Sequence, residues 1–505
     1  MTRSIVKSAL WVTFSEIIFN LSGFIIHSAL GRMLGPGEYG RYSLIITLTT
    51  TIIILIGNGI PTAMAKYISE IYETKPRTVA LIKNQAILIQ ALIMSAVTVI
   101  FFFSAPLIAG MLSDPTLIPL FRISTLIIPA FAAASFYFSY YTGLHLFNLQ
   151  AGLKTLRSIS RIAFVILLAY FFHTKGAISG YILAPATVFL AAFLFDKFKV
   201  SKELKKIPAE TEEVSFEWKK LFNYAWQVVV FFLAYELLIS IDLYMVKGIL
   251  KNDDLTGLYN AALTVGRIPY YIFYALTIFM LPMISKTTAA NNHDETKRII
   301  NQSIRIMLIL LVPMILIMAI YAKPILFLFY GAKFVGAAYA MSILEYGVGF
   351  LTIFYVLSFA LNGAGKTMLA MKISGVGLVI DIVLNYILIK QMGIAGSALA
   401  TSITSLFIMV AILYFMHKDF GVKIELKTAW KVLISGTGMY LVSLFLSHGK
   451  LIFILWSVIL FAIYLAILFT LGEIKKDDLA IVKTIIQRKK AAEVEKDLSG
   501  NEPEI

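Results

Sequence analysis

Glu236 and Asp242 lie six residues apart in AYELLISIDLYMV (234–246), inside an apolar stretch long enough to be a membrane helix. A carboxylate at the centre of such a helix costs about 2.5–3.5 kcal/mol on insertion scales, so it demands a reason. Other polar groups share that depth. Asp381 sits nine residues from both Lys372 and Lys390, and Asn385 follows it by one turn on the same face. The stretch ATSITS (400–405) adds Thr401, Ser402, Thr404 and Ser405. Carboxylates, an amide and hydroxyls at one depth make an oxygen cage for Na⁺ or a protonation site. The competing account is interhelical hydrogen bonding that only holds the bundle together. Glu236 and Asp242 point about 120° apart on a helix. They are therefore not expected to share one site: one serves the ion, the other faces a cavity or a neighbouring helix.

The basic residues raise a second kind of chemistry. Arg267, in TVGRIPYYIF, lies too deep in its span to snorkel easily. A buried guanidinium grips phosphate bidentately, so Arg267 is a candidate phosphate-binding residue. The alternative is a structural pair with Glu345 at similar depth, and the two are compatible if cargo displaces the carboxylate. Arg157 and Arg161 are read near the cytoplasmic end of the fifth span, where they would meet a headgroup in an inward-open cavity. Their alternative is an Arg161–Glu16 salt bridge combined with topology-setting charge. Glu16 and Glu345 are thus the candidate structural or gating partners.

These residues need a scaffold, and composition names its class. The 505 residues are 59% hydrophobic and 14% charged, with mean hydropathy +0.83. A soluble domain is less apolar and nearer 25% charged, so an all-α polytopic membrane protein is expected. Fourteen apolar segments of spanning length run from residue 8 to 472. With the N-terminus inside, the inner segments carry 33 of the 44 Lys and Arg and the outer loops nine, which puts both termini in the cytoplasm. That asymmetry also accounts for the net charge of +15 without nucleic acid. The absence of Cys removes thiol chemistry, and the six His lack metal-ligand spacing. NGAGKTM (362–368) lacks the spacing of a phosphate loop, so no ATPase is expected. Outer loops are short and no catalytic constellation shows, which argues against an enzyme. No cofactor is implied beyond a coupling Na⁺ or H⁺.

An internal repeat organises the spans. Gly31 and Gly248, Gly40 and Gly257, and Tyr42 and Tyr259 are each 217 residues apart, as are Gly176 and Gly393. Pro106 and Pro324, with Ser124 and Ser342, match at 218. Six spans per repeat is an even number, so the halves have the same orientation, as in parallel-repeat transporters. Residues 1–196 form an N-lobe, 197–218 a cytoplasmic linker, 219–417 a C-lobe, 428–472 two further spans and 473–505 an amphipathic, then disordered, tail. The 217 spacing gives Asp381 and Asn385 the first-lobe counterparts Phe164 and Leu168, which confines the polar cluster to the C-lobe.

LGRMLGPGEYGRYSLIITLTTTIIILIGNGI (30–60) and SIDLYMVKGILKNDDLTGLYNAA (240–262) resemble the paired signatures of polysaccharide-type flippases in the multidrug/oligosaccharidyl-lipid/polysaccharide exporter superfamily. The resemblance covers roughly residues 8–417, and the 6 + 6 + 2 organisation is similar to the fourteen-span branch that includes lipid II flippases. It implies a V-shaped bundle with a central cavity, a cation site built from spans 7, 11 and 12, and a tail groove at spans 13 and 14. The order of Asp and Asn on span 11 departs from that pattern, so the ligand set is less firmly implied than its location. The implied function is translocation of a polyprenol-(pyro)phosphate-linked oligosaccharide to the outer leaflet of a prokaryotic plasma membrane. Membrane lipids and glycan assembly enzymes are the implied partners of a monomer. The alternative within the superfamily is a cation-coupled, MATE-like multidrug exporter. A non-transporting scaffold for glycan assembly is the reading from another class.

Overall fold

The computed structural model describes residues 2–57, 59–204, 206, 215–423, 425–447, 449 and 451–473, and every regular element among them is helical. The first lobe comprises α1 (Thr2–Gly57), α2 (Gly59–Ser69), α3 (Pro76–Met111), α4 (Ile118–Ser124), α5 (Ile127–Gly143), α6 (Phe147–Phe195) and the short α7 (Ser201–Leu204). The second comprises α8 (Lys219–Leu250), α9 (Asp253–Gly266), α10 (Ile268–Ala289), α11 (His293–Ile320), α12 (Ala322–Tyr330), α13 (Ala338–Gly363), α14 (Thr367–Met392) and α15 (Ile394–Phe420). The last two helices are α16 (Leu426–Ser443) and α17 (Ile452–Thr470). Linker residues 207–214 and the tail beyond Glu473 lie outside the described residues.

Among the described residues, nine helical segments are long and apolar enough to cross a membrane. Two of these contain a reversal. Gly35 (φ 75°, ψ 174°) breaks α1, and His173 (φ 53°, ψ −137°) breaks α6. Beyond His173 the chain folds back tightly: a Cβ on Gly176 would fall 1.9 Å from the Leu168 carbonyl oxygen. With those passes separated, and with α8, α9–α10 and α16 added, the arrangement is consistent with fourteen crossings.

The lobes join at the end opposite the chain termini, called here the far end. One apolar core there draws on both lobes, including Leu30, Tyr42, Tyr259 and Phe334. Toward the termini there are two cores, one around Met64, Ile82 and Tyr141 of the first lobe that Leu221 and Ala225 of α8 join, and one around Ile300, Leu357 and Met416 of the second. The far-end joint is a crossing of α1 and α9 at backbone distance. A Cβ on Gly40 would lie 2.2 Å from the Asp253 carbonyl oxygen, and one on Gly257 would lie 2.0 Å from that of Pro36. Close approach of this kind requires glycine on both helices. At the terminal end α2 touches α8, where Gly59 packs on Ala225 and Val229. The lobes therefore meet at both ends.

Gly257→Ala is expected to cost about 1–3 kcal/mol by forcing these backbones apart. It should lower the unfolding temperature in nanodiscs, whereas Gly248→Ala, with no neighbour closer than 3.7 Å, should not. Equal melting of the two variants would refute the contact.

Candidate functional site

The second lobe encloses a small polar cavity between α8, α14 and α15. Asp242, 1% exposed, accepts a hydrogen bond from the Tyr259 hydroxyl at 2.9 Å on Oδ2 and from the Leu243 amide at 2.7 Å on Oδ1. The Thr401 hydroxyl reaches the same Oδ2 at 3.5 Å. Asp381 is equally buried, yet among the described residues neither of its carboxylate oxygens has a hydrogen-bond partner, and neither has the buried Thr404 hydroxyl. Asp242, Asp381, Thr401, Thr404, Ser405 and Arg267, with an apolar wall from α8, α9 and α13, line a space large enough for about one water or one bare ion. Arg267 sits at the break between α9 and α10 and donates to the Ile239 carbonyl.

An ionised carboxylate without a partner is costly in such a place, so Asp381 calls for a cation or a proton. The lining atoms of Asp242, Asp381, Thr401, Thr404 and Ser405 are hard oxygens, which fit Na⁺ or H⁺ and not a thiophilic metal. No group of three or more His, Cys, Asp or Glu is placed to hold a metal among the described residues.

Three expected members stand elsewhere. Asn385 spends its amide locally: Nδ2 donates to the Asp381 carbonyl at 3.0 Å, and Oδ1 accepts from Ser397 at 2.6 Å. It ties α14 to α15 and does not line the cavity. Glu236 accepts from Ser240 at 3.3 Å, more than a turn from Asp242 and outside the cavity. The expected Arg267–Glu345 pair does not form. Glu345 is fully buried, with no partner for either oxygen, and its Oε1 lies 3.1 Å from where a Gly266 Cβ would sit. Arg267 turns to α8 instead. Ser402 also leaves the hydroxyl set, because it bonds the Ile343 and Ala398 carbonyls.

The first lobe holds the opposite charge. Arg161 donates to the Phe19 carbonyl at 2.9 Å, to Ser22 Oγ at 2.5 Å and to the Tyr181 hydroxyl at 3.3 Å. Arg157 lies against three aromatic rings, those of Phe19, Phe131 and Phe138, at 4.4, 5.1 and 4.9 Å. Such faces hold a guanidinium electrostatically. Both arginines are 7% exposed. They stand near mid-helix and not at the cytoplasmic end, because the first pass of α6 begins at Phe147 and turns only at His173. The Glu16 side chain lies outside the described residues, so the Arg161–Glu16 pairing does too.

Repeat geometry makes this placement meaningful. His145 and Gly365 both have positive φ (57° and 75°) and are 220 residues apart. His173 and Gly393 share nearly one conformation (53°, −137° and 59°, −136°) at the same spacing. Gly176 and Gly396 press on the carbonyls of Leu168 and Leu388, again 220 apart. The spacing therefore drifts from 217 at the first hairpin to 220 at the last. The counterpart of Gly393 is His173, and the counterparts of Asp381 and Asn385 are Arg161 and Val165, not Phe164 and Leu168.

Sequence reasoning did not anticipate the far-end closure. Lys247, 2% exposed, bonds Asp114 of the first lobe at 2.8 Å and also Asp253, which accepts from Arg41 Nε at 2.6 Å. Burial pushes the Asp114 carboxyl up, but bonds from Lys247 and Thr116 outweigh it and hold the group below its ordinary range. Beneath this rim the Tyr39 hydroxyl meets His27 Nδ1 at 3.0 Å, Tyr330 at 3.1 Å and Asn260 at 2.8 Å, again joining the lobes. The only sequence signal was that Lys247 and Arg41 are basic residues on the side that should be poor in them.

Comparison with known proteins fits this architecture. A family model described as polysaccharide biosynthesis protein matches residues 5–288, and one described as MatE matches residues 228–387. The probable low-salt glycan biosynthesis flippase Agl15 of Haloferax volcanii is 25% identical over 202 residues, 40% of this chain and 43% of that one. The match thus spans less than half of that relative. Stage V sporulation protein B of Bacillus subtilis is 24% identical over 530 residues, covering 96% of this chain and 98% of the relative. Among solved structures, the lipid II flippase MurJ in its inward closed conformation superposes with TM-score 0.72 at 17% identity, over 91% of this chain and 98% of that one. Since the first family model covers more than half of its length, the chain belongs to the polysaccharide biosynthesis protein family, as a multi-pass membrane protein of the multidrug/oligosaccharidyl-lipid/polysaccharide exporter superfamily.

Proposed function

We propose that the protein carries a polyprenol-(pyro)phosphate-linked oligosaccharide from the cytoplasmic to the outer leaflet of a prokaryotic plasma membrane by alternating access. The observation that carries the reading is the opposed polarity of the lobes: Arg161 in one occupies the repeat position of Asp381 in the other. Arg157 and Arg161 would face the anionic phosphate, with Arg267 opposite. Asp242 and Asp381, with the Thr401, Thr404 and Ser405 hydroxyls, would hold Na⁺ or a proton, and the bound charge would supply the driving force. Agl15, a probable glycan biosynthesis flippase, and lipid II flippase MurJ are consistent with this cargo class. The N- and C-termini would face the cytoplasm, where the basic residues concentrate.

A MATE-like exporter is the second reading, favoured by the MatE match over residues 228–387. Its usual cationic cargo would be repelled by Arg157 and Arg161, which is why we place it second.

Liposomes carrying a fluorescent polyprenyl-pyrophosphate oligosaccharide, with Na⁺ or proton gradients imposed, test the reading. Wild type should exchange the lipid between leaflets, and Arg161→Ala should slow exchange at least tenfold. Dye efflux without lipid exchange would favour the multidrug reading. Asp381→Asn should leave slow exchange that no longer responds to the gradient; an undiminished response would remove the cavity from the coupling step.

Alternating access has its own test, made clean by the absence of native Cys. A Cβ on Gly37 would lie 4.0 Å from that of Asp253, within the range for a disulfide. The pair Gly37→Cys and Asp253→Cys should cross-link, stop exchange when oxidised and recover on reduction. Full exchange by the cross-linked protein would exclude far-end opening.

A further inference from the structure

Outside the space between the lobes, two cavities share one wall. Residues 294–305 of α11 form one side of a polar cavity of about 580 Å³, closed by the start of α16 and by Gly472 and Glu473 after α17. Residues 304–316 of the same helix form one side of an apolar cleft of about 210 Å³, closed by α13 and α15. Ile304 lines the cleft and Arg305 the polar cavity, so the two lie at neighbouring heights on the same helix. From Lys297 to Leu311 is about 20 Å of helix, the depth of one leaflet with its headgroup.

Charge in the polar cavity is not self-cancelling. Five cationic side chains line it against three carboxylates. Glu473 takes up Arg305 at 2.9 Å and Lys431 at 3.2 Å. The other two carboxylates, Asp294 in the first turn of α11 and Glu425 at the N-cap of α16, face helix N-termini, whose dipoles offset them. Lys297 and Lys427 have no ion pair among the described residues, and both are reachable from solvent. Two free ammonium groups above an apolar slot match one chemistry: a phosphate headgroup carrying a hydrocarbon chain.

We propose that this groove is a site for an anionic phospholipid of the leaflet on the terminal side, distinct from the cargo path. Lys297 and Lys427 hold the phosphate, and the cleft beside Leu308, Phe350 and Met409 holds an acyl chain. The site braces α16 and α17 against the second lobe. It does not depend on the flippase reading, since the occupant is a bulk membrane lipid.

Native mass spectrometry and thermal melting of the full chain in detergent test the site with four probes: phosphatidylglycerol, phosphatidylcholine of the same acyl chains, inorganic phosphate and undecaprenyl phosphate. Phosphatidylglycerol should remain bound and raise the melting temperature, and phosphatidylcholine and inorganic phosphate should do neither. Lys297→Glu with Lys427→Glu should weaken phosphatidylglycerol retention at least tenfold, as should Leu308→Trp, which fills the cleft. Lys297→Gln with Lys427→Gln gives an intermediate loss and guards against a misfolded double variant. Equal retention of phosphatidylcholine, or undiminished phosphatidylglycerol binding after charge reversal, overturns the proposal. Displacement of phosphatidylglycerol by equimolar undecaprenyl phosphate also overturns it, by making the groove part of the cargo path. Stabilisation by inorganic phosphate alone reduces the site to a headgroup pocket and overturns the lipid assignment.

Discussion

The architecture hangs on one contact: the backbone-to-backbone crossing of α1 and α9 at Gly40 and Gly257. In a bilayer, helices gain little from burying apolar side chains against one another, because lipid is as apolar as leucine. Close van der Waals approach must supply the association, and only glycine admits it here. Once that crossing is made, Tyr39 comes within reach of Tyr330 and Asn260, and Lys247 within reach of Asp114. The polar groups thus find partners across the lobes as a consequence of the crossing.

The repeat supplies the second constraint. Two lobes with one fold place any pair of equivalent residues symmetrically about the space between them. Arg161 and Asp381 are such a pair, so a duplicated scaffold carries opposite charges at matched positions. The two are neutralised by different means. The terminal nitrogens of Arg161 bond a carbonyl and two hydroxyls, and its guanidinium lies on an aromatic face. Asp381 is left unsatisfied. A fixed cation that is already solvated by protein can hold its place with or without cargo. A carboxylate with no hydrogen-bond partner stays ionised only at a cost, which is why the proposed ion coupling is assigned to the second lobe.

Much of this was legible in sequence, for reasons that can be named. Apolar runs of spanning length, the Lys/Arg asymmetry and the recurring glycines are long-range signals, and each is averaged over many residues. Asp242, Asp381, Thr401 and Ser405 were found together because depth along a helix follows from counting residues at 1.5 Å each. Counting fails for rotation and for turns. Asn385 shares a face with Asp381 in projection, yet Ser397 captures its amide. Arg267 and Glu345 match in depth but not in direction. Carrying the 217 spacing into the last hairpins hid three residues gained by the second lobe before Gly365, which moved the counterpart of Asp381 from Phe164 to Arg161. The Lys247 network escaped notice because its members come from α1, the turn after α3, the end of α8 and the start of α9, which only the folded chain brings together.

The two closures differ in chemistry, and that bears on direction. At the terminal end, Gly59 meets Ala225 and Val229 in an apolar contact. At the far end, opening would part Lys247 from Asp114 and Arg41 from Asp253, with Lys247 almost wholly buried. Breaking a buried pair leaves each charge uncompensated until water arrives, which costs far more than sliding apolar surfaces apart. Parting this rim is therefore the costly step of any opening at the far end. In the cycle proposed above, Asp381, whose oxygens have no hydrogen-bond partner among the described residues, would be the group an ion gradient reaches. Such a cycle would have to break the ionic rim to release its cargo, so the gradient would be spent there.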